Sequence, residues 1–451
     1  MEQRIRPHVH CGCLLSAARI GSLVGKATGR GECRLKILLL THYYAPEIGA
    51  PQRRWRELVA GFTTAGHQVA VCAPVPHYPH RSASALSESR TTTLVWEDGA
   101  NGERILRLPY LPTSTSMVGQ LLDQSVSSLF ALRVAAALRS AKPDVVISTT
   151  PGLPMLFTGD TVAQMLGIPH IAEVRDAWPD LIGDSHLVRT ATRKLMPERV
   201  TDYLERTALP AAFHLALRRA AHIVVTSEGF ASRLRSAGHA AVTVVRNTAV
   251  PYRPSKQLRE RSKGDDLRLL YVGTVGRSQG LEALVRAIGD VSGVQLKIVG
   301  AGAAHRELQR SAAEVMTKSG DLIAEPPIQF LPQTTGEELE SLWRWADSGV
   351  VSLTGLPAFE YTIPSKLYTL MARGIHVTGI LSGEAASIVT DAGAGNTVAP
   401  GDDKGLRALL AEMRDGHVNL TPDSRSQDWL AGHAAPAAAL QSYLGVLEGA
   451  R

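Results

Sequence analysis

The chain has 451 residues, 44% of them hydrophobic and 20% charged, which describes a globular protein too long for a single hydrophobic core. No run of 18 or more apolar residues occurs, so the sequence predicts no membrane-spanning helix. The net charge of +6 is uneven, because residues 1–34 hold six Lys/Arg against two Asp/Glu. The nearly neutral remainder lacks interleaved basic and aromatic residues, which argues against a nucleic-acid partner.

Residues 1–34 are interpreted as a disordered extension or as the product of a misassigned start codon. Three of the four cysteines lie in this segment and only Cys72 lies beyond it, so the body of the chain has no disulfide framework. The Cys11-Gly-Cys13 spacing differs from the CxxC pattern of metal sites, although nearby histidines leave a metal site open. The cysteine distribution favours a reducing, cytoplasmic location.

Apolar segments alternate with helical ones from residue 35 to residue 250, which predicts a first domain over this range. Runs typical of buried parallel strands occur at 36–41, 68–73, 144–149, 169–174, 221–227 and 242–246. Helices are predicted at 51–65, where the large apolar residues recur at helical spacing, and at 158–166. Strands that alternate with helices predict an α/β fold with a doubly wound parallel sheet.

The same pattern restarts after a polar linker at 251–266 and predicts a second α/β domain at 267–425. Its predicted strands cover residues 267–273, 295–300, 328–331, 349–353 and 376–380. A final helix within 426–451 is predicted to pack back on the first domain. Two such domains can direct the carboxyl ends of their strands toward a common cleft, where open α/β sheets bind ligands.

Glycines and two cations follow the strands of the second domain. The segment GTVGRSQG (273–280) joins the first strand to a helix, and Gly300-Ala-Gly302 follows the next strand. Small residues let the backbone approach a diphosphate, and Arg277 can pair with it. Lys366 begins a helix whose free N–H groups also favour phosphate, although an exposed N-terminal lysine would show the same pattern.

The order of these segments resembles the nucleotide-sugar domain of family 4 glycosyltransferases. The succession GTVGRSQG, LKIVGAG, IQFLP, PSKLYTLMARG, SGEAASIV and GAGNTVAPGD covers about residues 267–403. The sequence of these segments is similar to that of the branch of bacterial O-antigen and capsule fucosaminyl-type transferases, in which GxxGxxQGL is frequent. The resemblance implies the GT-B architecture, with two Rossmann-like domains facing a cleft, and a nucleotide sugar as the donor.

In this resemblance Arg277 and Lys366 are the catalytic cations that hold the donor diphosphate. The family's paired glutamates fall on Tyr361 and Thr369, so both expected carboxylates are missing, and Glu360 is the candidate replacement. A neutral hydrogen bond from threonine to ribose contributes about 0.5–1.5 kcal/mol, which is less than a charged one. The other residues that the resemblance implies in donor binding are Gly49, Gly273, Gly276, Gln279, Gly300, Gly302, Ser365 and Glu384.

Two segments of the first domain are similar to the same branch. HYYAPEIGAP (42–51) resembles the family's loop between the first strand and the first helix. EVRDAWPD (173–180) follows a buried strand, and Arg175 and Asp176 are the candidate catalytic residues within it. An Arg–Asp pair that only braces the loop is the alternative. The residues implied on the acceptor side are Tyr44, Glu47, Glu173, Trp178 and Asn247.

Basic residues of the first domain suggest two further contacts. Arg53, Arg54 and Arg56 are candidates for binding an anionic acceptor, with a solvated helix face as the alternative. The stretch 185–219 holds seven Lys/Arg and three Asp/Glu among apolar residues. A basic amphipathic stretch can lie on an anionic membrane surface, which agrees with the lipid-linked acceptors frequent in the family, and a core-facing surface helix is the alternative.

The resemblance implies a retaining glycosyltransferase of bacterial cell-envelope polysaccharide or glycolipid synthesis, working on a sugar or lipid-linked acceptor and needing no metal or other cofactor. Because the family has no fixed enzymic nucleophile, the donor phosphate oxygen is expected to take the acceptor proton. A GT-B sugar-nucleotide epimerase and a catalytically degenerate scaffold protein remain open. A nicotinamide dehydrogenase is disfavoured, since no GxGxxG follows the first strand.

Overall fold

The computed structural model describes residues 35–47, 49–77, 93–111, 117–137, 142–184, 189, 196–249, 252, 262, 264–318 and 326–450. The predicted N-terminal extension, most of the predicted linker and the beginning of the basic amphipathic stretch lie outside this part of the chain. Among the described helices, none has both the length and the apolar character that crossing a bilayer requires.

The first sheet has eight strands in the order β3-β4-β2-β1-β5-β6-β7-β8. They are β1 (Lys36–Leu40), β2 (Gln68–Pro74), β3 (Trp96–Asp98), β4 (Arg104–Leu108), β5 (Val145–Thr149), β6 (His170–Val174), β7 (His222–Val225) and β8 (Val242–Val244). The edge strand β3 runs antiparallel to β4, and the other pairs are parallel. Strands β5 and β6 are buried along their whole length, because helices cover both faces of the sheet.

The second sheet has six parallel strands in the order β11-β10-β9-β12-β13-β14. They are β9 (Leu267–Val272), β10 (Val294–Val299), β11 (Ile328–Leu331), β12 (Ser348–Ser352), β13 (His376–Ile380) and β14 (Gly395–Val398). The neighbours β9 and β12 connect to strands on opposite sides, so the strand order reverses between them. Such a switch point opens a crevice at the carboxyl ends of the strands, where α/β proteins bind ligands.

Helices pack on both sheets. Those of the first half are α1 (Ala50–Thr64), α2 (Met117–Ala137), α3 (Leu153–Leu166), α4 (Asp180–Asp184), α5 (Glu198–Tyr203), α6 (Leu209–Arg219) and α7 (Glu228–Ser236), with a π-helical turn at Leu204–Ala208. Those of the second half are α8 (Glu282–Asp290), α9 (His305–Lys318), α10 (Gly336–Trp345), α11 (Ser365–Arg373), α12 (Gly383–Asp391), α13 (Asp403–Arg414), α14 (Arg425–His433) and α15 (Pro436–Gly449). Short 3₁₀ turns lie at Arg277–Gln279 and Pro357–Tyr361.

The end of the chain differs from the single terminal helix that the sequence predicts. It forms two helices, of which α14 packs on α11 of the second domain and α15 packs on α1 of the first. The buried ring of Tyr443 on α15 lies 5.9 Å from that of Trp55 and 5.5 Å from that of Phe62. These contacts bury apolar area from both helices and join the chain end to the first domain.

The carboxyl edges of the two sheets face each other. Tyr361, which follows β12, donates its hydroxyl hydrogen bond to Asp180, which follows β6. Its ring stacks on Phe230 of α7 at 5.6 Å, and its carbonyl accepts a hydrogen bond of 2.6 Å from Ser227 Oγ after β7. Loops at the strand ends of both domains therefore meet, which places the potential ligand site between them.

Candidate active site

The glycine loops after β9 and β10 pack backbone against backbone. Gly273 and Gly300 have positive φ angles of +138° and +135°. A Cβ atom on Gly300 would lie 2.2 Å from the carbonyl oxygen of Gly273, and one on Gly302 would lie 2.1 Å from that of Val275. Gly300 and Gly302 are therefore required by the packing of the two loops, whatever ligand binds there, because any side chain would prevent the loops from forming one surface.

Replacing Gly300 by alanine is expected to lower the free energy of unfolding by about 2–3 kcal/mol, because the new Cβ adds backbone strain and a steric clash. Chemical denaturation measures this change. The control is Gly183→Ala on α4, where a Cβ meets no heavy atom within 4 Å. Equal stability of the two variants would contradict this account of the loop.

Arg277 and Gln279 differ in what they do in the 3₁₀ turn. The Gln279 side-chain oxygen accepts a hydrogen bond of 2.9 Å from the N–H of Gly276, so this side chain closes the turn. The Arg277 carbonyl accepts a hydrogen bond of 3.2 Å from the Gly280 N–H, while its exposed guanidinium makes no hydrogen bond or ion pair within the described residues. The turn therefore presents a free guanidinium beside the glycine surface, as an anion site requires.

Lys366 lies at the start of α11 against the same surface. Its Nζ atom lies 3.7 Å from the centroid of the Tyr271 ring and 3.3 Å from the position that a Cβ on Gly273 would take. Burial lowers the pKa of Lys366 to about 7. The side chain is only partly exposed, so the alternative of a fully exposed helix lysine is wrong. Its ammonium group therefore lies against the backbone of the glycine loop after β9.

Neither Thr369 nor Tyr361, which replace the family's glutamates, supplies a carboxylate for a ribose. Thr369 donates its hydroxyl hydrogen bond to the carbonyl of Ser365, 3.4 Å away in its own helix. Glu360 is exposed at the 3₁₀ turn. Tyr361 and Glu384, both predicted in donor binding, contact the first domain in this structure, and their role toward a donor stays a prediction.

Glu384 joins the start of α12 to the start of α7 in the other domain. Its two carboxylate oxygens accept hydrogen bonds from the N–H groups of Glu228 at 3.1 Å and Gly229 at 2.7 Å. Arg246 Nη1 donates to the same carboxylate at 2.7 Å. A carboxylate at a helix N-terminus is stabilised by the free N–H groups and the dipole, so Glu384 is a contact between domains.

Three residues predicted on the acceptor side are buried in the first domain, and their assignment is corrected. Tyr44 is 2% exposed and donates its hydroxyl hydrogen bond to Glu103 at 2.9 Å. Glu173 is fully buried and accepts hydrogen bonds from Arg54 and Thr149. Glu47 accepts a hydrogen bond of 3.0 Å from Gln52 and is also buried. Gly49 begins α1 with an extended backbone and lies beside the Gln52 side chain.

Arg175 and Asp176 remain at the carboxyl end of β6. Arg175 Nη2 donates to Asn247 Oδ1 at 3.3 Å, while its Nε and Nη1 atoms are buried without hydrogen-bond partners among the described residues. Burial raises the pKa of Asp176, and Arg175 opposes this change. Arg175 also contacts Thr150 and Thr226 through its backbone, so a role in bracing the loop stays open beside the predicted contact with an acceptor or sugar. Trp178 packs against the core under this loop.

A further cluster at the carboxyl edge of the first sheet was missed. His42, His77 and Asp123 are buried together, and burial, followed by the charge of His42, lowers the pKa of His77. The sequence pattern could have indicated His42 and His77, since a His-Tyr pair follows each of the predicted strands at 36–41 and 68–73. Asp123 offered no such pattern, because α2 lies in a part of the sequence where no element was predicted.

Family comparisons agree with this geometry. Residues 49–252 match the family described as Glycosyl transferase 4-like domain, and residues 266–415 match Glycosyl transferases group 1. The chain belongs to the family 4 glycosyltransferases. This family 4 enzyme is 25% identical over 363 residues to WcaI of Escherichia coli (strain K12), to which a glycosyl transferase role in colanic acid biosynthesis is ascribed. The match covers 75% of the chain and 82% of WcaI.

Solved structures show the same fold. The glycosyltransferase is similar to HepE of Anabaena in complex with UDP and glucose, with a TM-score of 0.61, 15% identity, and coverage of 92% of this chain and 99% of HepE. It is also similar to sucrose-phosphate synthase from Thermosynechococcus elongatus, with a TM-score of 0.65, 15% identity, and coverage of 92% and 98%. The predicted α/β fold class with GT-B architecture is confirmed.

Proposed function

We propose that this glycosyltransferase is a retaining enzyme that moves a sugar from a nucleoside-diphosphate sugar to an acceptor hydroxyl in polysaccharide or glycolipid synthesis. The observation that carries the proposal is the pairing of Lys366 and Arg277 beside the glycine surface at the switch point of the second sheet. Glycine backbone and two cations suit a diphosphate. The complex of HepE with UDP-glucose, from a protein of the same fold, is consistent with such a donor.

The chemistry rests on positioning and on charge. As the bond from the sugar to the diphosphate breaks, negative charge grows on the phosphate oxygens, and Lys366 and Arg277 stabilise it. The departing phosphate oxygen accepts the proton of the incoming hydroxyl on the same face of the sugar, which gives retention. The groups around the glycine surface are cations, so in this proposal they take the place of a metal at the diphosphate.

The acceptor is placed on the first domain in this proposal. The unpartnered Nε and Nη1 atoms of Arg175 suit an anionic group such as the phosphate of a lipid-linked sugar. The exposed apolar side chains of Met196, Val200, Tyr203 and Leu215 lie on and near α5 and α6. Together with the basic residues of this stretch, they suit contact with an anionic membrane surface on the cytoplasmic side.

Calorimetric titration with UDP, GDP and TDP tests the donor site, with Arg277→Ala as the variant. One diphosphate is expected to bind at micromolar concentration, and loss of the exposed guanidinium is expected to weaken binding by about 10–100-fold, or about 1.4–2.8 kcal/mol.

Arg306→Ala is the control, since Arg306 is an exposed arginine of α9 in the same domain. No binding of any of the three nucleotides would contradict the proposed donor and would favour the degenerate scaffold, to which the Thr369 replacement also points.

A further inference from the structure

The cluster of His42, His77 and Asp123 lies where ligands bind in α/β folds. His42 follows β1 and His77 follows β2, both at the carboxyl edge of the first sheet, and Asp123 projects from α2. One nitrogen from each histidine and one oxygen of Asp123 lie within 4.8 Å of one another. The three residues are 2%, 3% and 1% exposed, so water does not solvate them freely.

Each of the two histidine rings has one nitrogen without a hydrogen-bond partner among the described residues. His77 Nδ1 lies 2.9 Å from the carbonyl oxygen of Val75, and it therefore carries the proton and donates it. The His77 Nε2 atom then carries a lone pair, and this atom is buried without a hydrogen-bond partner in the described part of the chain. His42 Nε2 lies 3.1 Å from Asp123 Oδ2, while its Nδ1 atom is likewise buried without a described partner.

The hydrogen bonding of His77 is the one that metal-binding histidines adopt. A ligating imidazole usually donates its second N–H to a carbonyl or a carboxylate, which fixes the ring and the tautomer. His77 does so toward Val75, and Glu47 Oε1 lies 3.4 Å from the same Nδ1 atom. Glu47 is itself fixed, since its Oε1 atom also accepts a hydrogen bond of 2.6 Å from the backbone N–H of His77. The His77 lone pair is thus oriented in advance.

We propose that His42, His77 and Asp123 form a binding site for a divalent cation of the Zn²⁺ class, which takes one imidazole nitrogen from each histidine and one oxygen from Asp123. Two imidazoles favour Zn²⁺ over Mg²⁺ and Ca²⁺, which prefer oxygen ligands. Tetrahedral Zn²⁺, with bonds of about 2.0–2.1 Å, holds its ligand atoms about 3.3 Å apart, so small side-chain movements close the site. The centre belongs to the first sheet, whereas the proposed diphosphate-binding cations belong to the second domain.

The test is direct metal binding by the full-length protein, treated with a chelator and then titrated with Co²⁺, whose visible absorption reports its ligands. About one Co²⁺ per chain is expected to bind with the spectrum of nitrogen and oxygen ligands and to be displaced by Zn²⁺. His77→Gln and Asp123→Asn are each expected to lower the affinity by about 100-fold or more. Glu47→Gln is expected to lower it by about 10–100-fold, as loss of an orienting group does.

The matched control is His222→Gln, because His222 lies on β7 of the same sheet and its ring forms a hydrogen bond with Thr243. Its Co²⁺ affinity is expected to equal that of the original protein. Zn²⁺ is also expected to raise the melting temperature of the original protein and of His222→Gln, but not that of folded His77→Gln.

Two results would overturn the proposal. One is that the original protein binds no more Co²⁺ than His77→Gln does, which would leave a hydrogen-bonded core cluster. The other is a thiolate charge-transfer band that Cys13→Ser removes and His77→Gln does not, which would assign the metal to the N-terminal segment. Neither result bears on donor binding, so the proposed transferase function stands or fails separately.

Discussion

Lys366→Met is expected to slow glycosyl transfer by about 10²–10³-fold, the effect of removing one charge-stabilising group from a developing anion. The methionine keeps the apolar stem that lies over Tyr271, so the fold is expected to persist. Initial rates with the donor found by calorimetry measure the effect, and thermal unfolding verifies the fold. Lys404→Met is the control, since Lys404 is exposed on α13 of the same domain.

The same lysine is expected to make donor affinity depend on pH. Burial lowers the pKa of Lys366 to about 7 in the free protein, and a bound diphosphate raises it again. Below pH 7 the lysine is already charged. Above it, binding must take up a proton, so the dissociation constant is expected to rise by up to about tenfold per pH unit. Lys366→Met is expected to lose this dependence. A dependence unchanged by the substitution would contradict the role of Lys366.

Arg54→Met is expected to lower the free energy of unfolding by about 3–5 kcal/mol, because it leaves the Glu173 carboxylate buried and unpaired. Arg54 Nη2 lies 3.0 Å from Glu173 Oε2, and these side chains are 3% and 0% exposed. Arg54 also donates hydrogen bonds to the carbonyls of Val245 and Arg246 at 2.9 and 2.8 Å. Denaturant unfolding measures the change.

Arg53→Met is the matched control, since Arg53 is the neighbouring arginine of α1 and is exposed, so a change within about 0.5 kcal/mol is expected. Adding Glu173→Gln to Arg54→Met is expected to recover part of the loss, because it removes the buried charge. If Arg53→Met and Arg54→Met destabilise equally, the ion pair does not hold this domain. These expectations replace the predicted acceptor contact of Arg54 with a core role.

Strands that are continuous apolar runs were predictable, while elements without a regular hydrophobic period were not. The strands β5 and β6 are continuous apolar runs, and their predicted limits agree with the observed ones to within a residue. No element was predicted between 75 and 143, where the structure has β3, β4 and α2. The short strand β3 has no buried residue, and α2 carries apolar side chains around much of its circumference, so neither has a clean period.

The sequence by itself determined the two α/β domains, the glycine loops and the two cations proposed to hold a donor, because these depend on local periodicity and on residues adjacent to a strand end. Only the tertiary structure decided which charged side chains are buried in the core or join the two domains. It buries Glu173 against Arg54 and directs Glu384 to the first domain. Each of these contacts joins elements that are far apart in the chain. The packing of those elements decides which charged group is desolvated and needs a partner, and which stays exposed to water.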